Sequence, residues 1–372
     1  MKLARTVTLV GLGLVSVGYL GVTACSSSSG GTGTTSSVGA PPAKPAAPAT
    51  SKDEHNYALN ALLLGDTDRA GNPSTTAWKK FGYNIDGKVS DKTSSDVCTP
   101  AAGAGKEAQL DGENGIDNAF GSRIVPIIQT FSHDISKQLT DSIAKGGFTI
   151  MLDTVGLPAD PAQTNTGLSG QLFAGGKLDN PTFTLADKWP VRPELLADGK
   201  TVASGSKVKF GDAFIVGGQW VNGVGTDVKL SLAFGGVALD INIHKATIVF
   251  NHAGGDAANG TIAGVIDTAE LINGLRSVAG RISDSLCSGS AFDSIAQQIT
   301  QASDIMTDGT NAAGSPCSAI SIGIGFTAKE ISPPSTVADL GTPAPDKCAD
   351  GGTPPDDAGT DSQSPPQDAA TE

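Results

Sequence analysis

The stretch from Val228 to Phe250 restricts what this chain can fold into more than any other. In its second half Leu239, Ile241 and Ile243 fall on one side and Asp240, Asn242 and His244 on the other. A period of two is what a half-buried strand requires. Apolar alternation punctuated by Gly, Asn and Asp begins at Phe148 to Val155 and runs on through Val208, Phe210 and Ala213 to Val216, as far as about Ile266. No crossover-length helical segment interrupts it, so the strands must pair antiparallel, with one wet face. Several strands joined by Gly-rich turns at short intervals predict a sandwich or jelly-roll arrangement.

Helical periodicity flanks this region. Ile124, Ile127, Ile128, Phe131, Ile135, Leu139 and Ile143 make one stripe, stopped by Gly146-Gly147. Behind the strands, Asp267 and Glu270 occupy the N-cap and N3 places of a capping box, followed by Leu271, Leu275, Val278, Ile282 and Leu286. Phe292, Ile295, Ile299, Ala302 and Met306 mark a second helix, Ser290 to Met306. From Cys317 to Ile331 the chain returns as a strand, with Ile320, Ile322, Ile324 and Phe326 against a glycine-bearing side that admits close approach of another backbone. The expectation is an α+β fold: an antiparallel β-sandwich or jelly-roll-like sheet with one preceding and two following amphipathic helices.

The N-terminus carries the three zones of an export signal: basic Lys2 and Arg5, an apolar stretch from Val7 to Val22, and small residues at a cleavage site. Val22-Thr23-Ala24-Cys25 resembles the lipobox of bacterial lipoproteins, in which the cysteine receives diacylglycerol and becomes the first residue of the mature chain. That resemblance covers the first 25 residues. It implies lipidation of Cys25, a membrane anchor, and, with Ser26 rather than Asp after the cysteine, an outer-membrane or cell-surface location. The expected organisation is a signal peptide over 1–24, an anchor and Ser/Gly/Thr/Pro/Ala linker over 25–55, and a turn-rich N-terminal lobe over 56–123. The main helix and sheet domain follows over 124–335, and a disordered, acidic, Pro-rich tail over 336–372.

A net charge of -13 argues against nucleic acid as a partner, since phosphate binding needs a basic footprint. Envelope polysaccharide or protein is the partner class that remains beside the membrane. Trp78, Trp189 and Trp220 are the candidates for a carbohydrate platform, although scarce tryptophans more often serve a core. With Cys25 given to lipid, Cys98, Cys287, Cys317 and Cys348 form an even set in an oxidising compartment, which implies two disulfides. Closing the shorter loop predicts Cys287 with Cys317, and then Cys98 with Cys348. Their spacing does not suit zinc.

Catalytic signatures are missing. There is no GxSxG, HExxH, P-loop or GxGxxG, and Gly199-Lys200-Thr201 has Glu194 where the first glycine of a P-loop belongs. His133 and His244 lie on polar faces, and His252 near Asp256 is the one candidate for a His-Asp pair. The best chemical signal is a set of Asp/Asn/Gly turns. Asp66 and Asp68 stand where an EF-hand-like loop would place ligands, and Asp111, Glu113, Asp117 and Asn118 crowd oxygen donors into eight residues; calcium is the ion they would hold. The same residues are also ordinary turn formers. These features favour a non-enzymatic binding or structural domain of the cell envelope. A hydrolase of unrecognised type, or a carrier of an apolar ligand if the fold encloses an apolar cavity, are the alternatives.

Overall fold

In the computed structural model, residues 39–47, 52–130, 132–160, 163–234, 237–252, 254–282, 286–287 and 290–340 are described. The lipobox residues, Cys348 and most of the acidic tail lie outside them. Nine strands, β1 (Glu54–Leu63), β2 (Thr149–Val155), β3 (Asn165–Gly175), β4 (Val208–Val216), β5 (Gln219–Val221), β6 (Thr226–Phe234), β7 (Val237–His252), β8 (Asp256–Asp267) and β9 (Ala319–Ile331), follow the spatial order β5-β4-β3-β2-β1-β9-β8-β7-β6. Every pairing is antiparallel, and β5 also pairs with β7 through Trp220 opposite Phe250. That last pairing closes eight strands into a barrel and leaves β6 as an extra strand on β7.

This corrects the expected sandwich or jelly roll. A sandwich has two sheets with free edges, whereas here three-residue β5 joins the two ends of one sheet. The other decisive strand is β1. It lies in the segment expected to be linker and turns, yet it pairs with β2 on one side and β9 on the other, joining strands far apart in sequence.

An eight-stranded barrel is just wide enough for side chains to fill it. Trp220 stacks on Phe250 with centroids 5.0 Å apart, and Phe210 and Tyr57 pack edgewise or tilted against this pair. All four are fully buried, with Leu152, Ile248, Ile324 and Phe326 among the same core. Glycines on β9 give the expected close approach: a Cβ at Gly323 would collide with the Phe81 carbonyl.

Strand β7 serves two structures. Ile241 and Ile243 are buried, then Lys245 adopts φ 51° and the register with β8 shifts, so the buried residues become Ala246, Ile248 and Phe250. This bulge changes the parity of the strand and bends it. Beyond it the first half of β7 pairs with β6 as an arm, from Val228 opposite Ile243 to Phe234 opposite Val237.

Among the described residues four α-helices pack into the same core: α1 (Val125–Gln129), α2 (Ile135–Ala144), α3 (Thr268–Ile282) and α4 (Ser290–Gln301). The single helix expected from Ile124 to Ile143 is two, preceded by a π turn over Phe120–Ile124 and broken where Asp134 takes φ 54°. Asp267 Oδ1 accepts the Glu270 N–H at 3.0 Å and so caps α3, while the Glu270 carboxylate turns to Asn242 and His244 on the arm.

Candidate functional site

The helices meet the β6–β7 arm around an apolar cavity of about 310 Å³. One wall is α3, through Leu271, Leu275 and Val278; the opposite wall is α4, through Phe292, Ile295 and Ile299. The arm contributes Leu232, Leu239 and Ile241, and the π turn and α1 close the remaining side with Phe120, Ile124, Ile127 and Ile128. These are the residues whose helical and strand periodicity marked them as core in the sequence. Periodicity identifies a face that leaves water, and it cannot tell whether the space beyond that face is filled.

Three polar side chains reach this cavity: Ser132, Gln138 and Arg281. Ser132 Oγ donates to Gln138 Oε1 at 3.0 Å, and the Gln138 amide donates to the His133 carbonyl. Arg276, more than a turn before Arg281, instead lies over the Phe292 ring at 4.8 Å and ties α3 to α4. Arg281 is exposed and makes no ion pair among the described residues. A second pocket, of about 480 Å³ and mixed lining, is bounded by Tyr83, Ile85, Lys245 and Asp308, with Pro41 of the N-terminal segment against it.

The six oxygen donors expected to share calcium are distributed over separate places. Asp66 accepts from the backbone N–H of Ser136 at 3.2 Å and from its hydroxyl, capping α2 from a distance. Asp68 closes its own turn on the N–H groups of Ala70 and Asn72, both at 2.9 Å. Glu113 pairs with Lys80 at the surface, 3.6 Å away. Asn118 is saturated: its amide donates to the carbonyls of Trp78, Phe81 and Gly323, and its oxygen accepts from Gly121 and Gly323. Among the described residues no group of three or more His, Cys, Asp or Glu is arranged to hold a metal ion.

Asp111 and Asp117 are, however, brought into electrostatic range of Asp86 and Asp304. Asp111 accepts the Ser90 N–H, and Asp117 accepts those of Ile85 at 2.6 Å and Asp86 at 3.3 Å. Asp304 accepts the Ser321 N–H at 2.8 Å and its hydroxyl at 2.5 Å. Burial pushes Asp111 and Asp304 up to about 7, and burial with the charges of Asp86, Asp304 and Asp111 raises Asp117 well above the carboxylate range. Asp304 escaped the sequence reading because it stands alone in the connection between α4 and β9.

Among the described residues no histidine is hydrogen-bonded to a serine or cysteine side chain. Asp256 pairs with Lys329 at 2.6 Å rather than with His252, and His252 Nδ1 meets the Tyr57 hydroxyl at 3.2 Å. Burial, and then the nearby His55, lower the His252 pKa. His55 binds Glu330 at 2.6 Å, and His244 lies between Asp227 and Glu270. Trp78, Trp189 and Trp220 are buried and offer no platform for sugar.

The disulfide pairing also departs from expectation. Cys98 bonds Cys317, not Cys348, beside a bridge in which Thr99 and Cys317 exchange backbone hydrogen bonds with their neighbours on the other segment. Cys317 sits just before β9, whose Ala319 faces Asp267 at the start of α3. Cys287 lies past the far end of that helix, which is about 22 Å long at 1.5 Å per residue, well beyond the roughly 7 Å that a disulfide spans. Cys287 is itself disulfide-bonded, to a partner outside the described residues.

Compared with known proteins, the chain matches no family model, no curated protein and no solved structure, so what the site does has to be read from its own geometry.

Proposed function

We propose that this chain is a lipid-anchored cell-envelope protein that binds an apolar molecule in the cavity between α3, α4 and the β6–β7 arm. The cavity carries this reading. It is about 310 Å³ in volume and walled by aliphatic and aromatic side chains, with polar groups confined to Ser132, Gln138 and Arg281. A mostly apolar concavity with a few polar groups is the usual form of a small-molecule site. An apolar molecule lying against such a wall gains dispersion contacts and removes apolar surface from water. Anchoring through Cys25 rests on the lipobox-like Val22-Thr23-Ala24-Cys25 and would hold the site at the membrane surface, where apolar molecules are at hand.

A neutral dye that fluoresces in apolar surroundings tests the site. It should bind saturably, and Leu275→Trp, which places a larger ring in the cavity, should weaken binding about tenfold or more. Val89→Ser, at an exposed position elsewhere, should leave it unchanged. Binding that is equal in wild type and Leu275→Trp would overturn the assignment. For the anchor, mass spectrometry should find acyl groups on Cys25, and Cys25→Ser should abolish both the acylation and the cleavage before residue 25.

A further inference from the structure

We infer that the molecule taken by the cavity is a single-chain anionic amphiphile, a medium-chain fatty acid whose carboxylate meets Arg281. This rests on reading the cavity as a binding site, and adds what binds there. The first argument is charge. The whole chain has 38 acidic and 25 basic residues, and several described cations, Lys80, Lys92, Lys137, Lys229 and Lys329 among them, stand in ion pairs at the surface. Yet the one charged side chain in the cavity wall is a cation with no carboxylate beside it among the described residues. A basic residue in the last turn of a helix also complements the helix dipole. That role would be served equally by an arginine facing solvent, and it does not account for one placed in an apolar wall.

The second argument is the contrast within α3. Arg276 is engaged with the Phe292 ring, so its charge is already used in holding the walls together. Arg281 has no such partner among the described residues. A guanidinium presents parallel N–H donors that fit a carboxylate in bidentate fashion, and its weak hydration lets it work at the edge of an apolar surface. Ser132 and Gln138 are bonded to each other and carry no charge, so Arg281 is the counter-charge that the described lining offers a carboxylate.

The third argument is volume. A cavity of roughly 150 Å³ holds one benzene, six carbons. About 310 Å³ therefore holds about twelve carbons, which is one medium acyl chain and not the two chains of a membrane phospholipid.

The test uses the full chain carrying Cys25→Ser, so that no acyl group of its own is present, and measures displacement of the neutral dye at low salt and about pH 8, where a carboxylic acid is ionised. Dodecanoate and dodecanol have the same chain and differ in charge. Dodecanoate should displace the dye at about a tenth of the concentration that dodecanol needs, a modest factor because Arg281 is solvent-exposed and screened. Arg281→Gln should bring the acid to the level of the alcohol without moving the alcohol, and Arg281→Lys should restore part of the difference. Equal displacement by acid and alcohol in wild type, or an acid preference that survives Arg281→Gln, overturns the inference and leaves the apolar site standing. Failure of both compounds and of the dye itself removes the site on which it rests.

Discussion

Raising the pH from about 4 to about 8 should weaken this fold, and Asp304 should be a principal cause. Its carboxyl is buried in the connection between α4 and β9, and burial holds its pKa at about 7 against an ordinary 3.8. Between those two values the folded chain keeps a proton that the unfolded chain has released, so stability falls as pH rises through that window and levels off above it. Three units at about 1.36 kcal/mol each set a ceiling of about 4 kcal/mol. The two bonds from Ser321 favour the charged form and are already contained in that value, so a loss of about 2 to 4 kcal/mol is expected. Asp111 and Asp117 titrate upward for the same reason and repel Asp304 and one another, so the three lose their protons as a coupled set and their contributions do not add. Asp304→Asn isolates the buried member. Its amide oxygen can still accept the Ser321 N–H, its NH₂ can meet the hydroxyl, and no proton is taken or lost. Urea unfolding of wild type and Asp304→Asn at about pH 4.5, 6 and 7.5 reads the effect. Wild type should lose stability steadily across the series, and the variant should lose clearly less. At about 2 to 4 °C per kcal/mol for a domain of this order, a thermal scan should show a drop of about 5 to 10 °C in wild type. A wild-type curve that is flat or rises with pH, or two curves that run parallel, would refute the reasoning.

Other consequences are equally direct. Non-reducing peptide mapping should recover Cys98 joined to Cys317. Replacing both by Ser should cost about 5 kcal/mol on the chain-entropy estimate for a span of 219 residues, and a Cys287–Cys317 peptide would refute the pairing. Asn118→Ala leaves three carbonyls and two N–H groups of the Trp78–Phe81 turn, Gly121 and Gly323 without their partner. It should cost about 3 kcal/mol or more in urea unfolding, and a loss below about 1 kcal/mol would refute that account. Trp220→Ala removes the ring at the closing pair β5–β7 and should cost about 3 to 5 kcal/mol, with exchange protection lost first along β5, and a uniform loss would contradict its role in closure.

The sequence disclosed strands, helix faces and the Asp267 cap because each is a local pattern. Closure is not local. It depends on three residues of β5 finding β7, and nothing in Gln219-Trp220-Val221 distinguishes a closing strand from a turn flank. The alternation of Leu239, Ile241 and Ile243 was legible, but the change of parity at Lys245, after which Ala246, Ile248 and Phe250 are the buried residues, was not. β1 was missed because Tyr57, Leu59 and Leu62 sit among Asn and Ala in a segment bounded by linker and turns, so its alternation is weak. In the candidate site the apolar residues were visible and the space between them was not. The Asx-rich turns gave the opposite result: residues chosen as metal ligands are mostly occupied as acceptors of backbone N–H groups, the competing use to which Asp and Asn are suited.

The position of the cavity follows from how the barrel is filled. Trp220, Phe250, Phe210 and Tyr57 occupy its interior, so a ligand cannot enter there without displacing rings that also hold the closing strand. The β6–β7 arm leaves the barrel at the Lys245 bulge and carries a second apolar surface, Leu232, Leu239 and Ile241, past the closed wall. An apolar arm needs a cover, and α3 and α4 supply it from a single connection between β8 and β9. The cover is tied down at the start of α3 by the Asp267 cap and the Glu270 contacts to Asn242 and His244. Arg276 over Phe292 fixes α4 to α3, but it does not fix the pair to the arm. Loosening the tie at Glu270 should therefore change access to the cavity without opening the barrel. Glu270→Gln keeps a hydrogen-bonding oxygen for Asn242 and discards the charge opposite His244, whose pKa is raised through its bonds to Asp227 and Glu270 in spite of burial. Dye association should be faster in Glu270→Gln than in wild type at about pH 6, and the two should converge as pH rises and His244 gives up its proton. Equal association rates across the whole pH series would mean that the cover does not move on this tie.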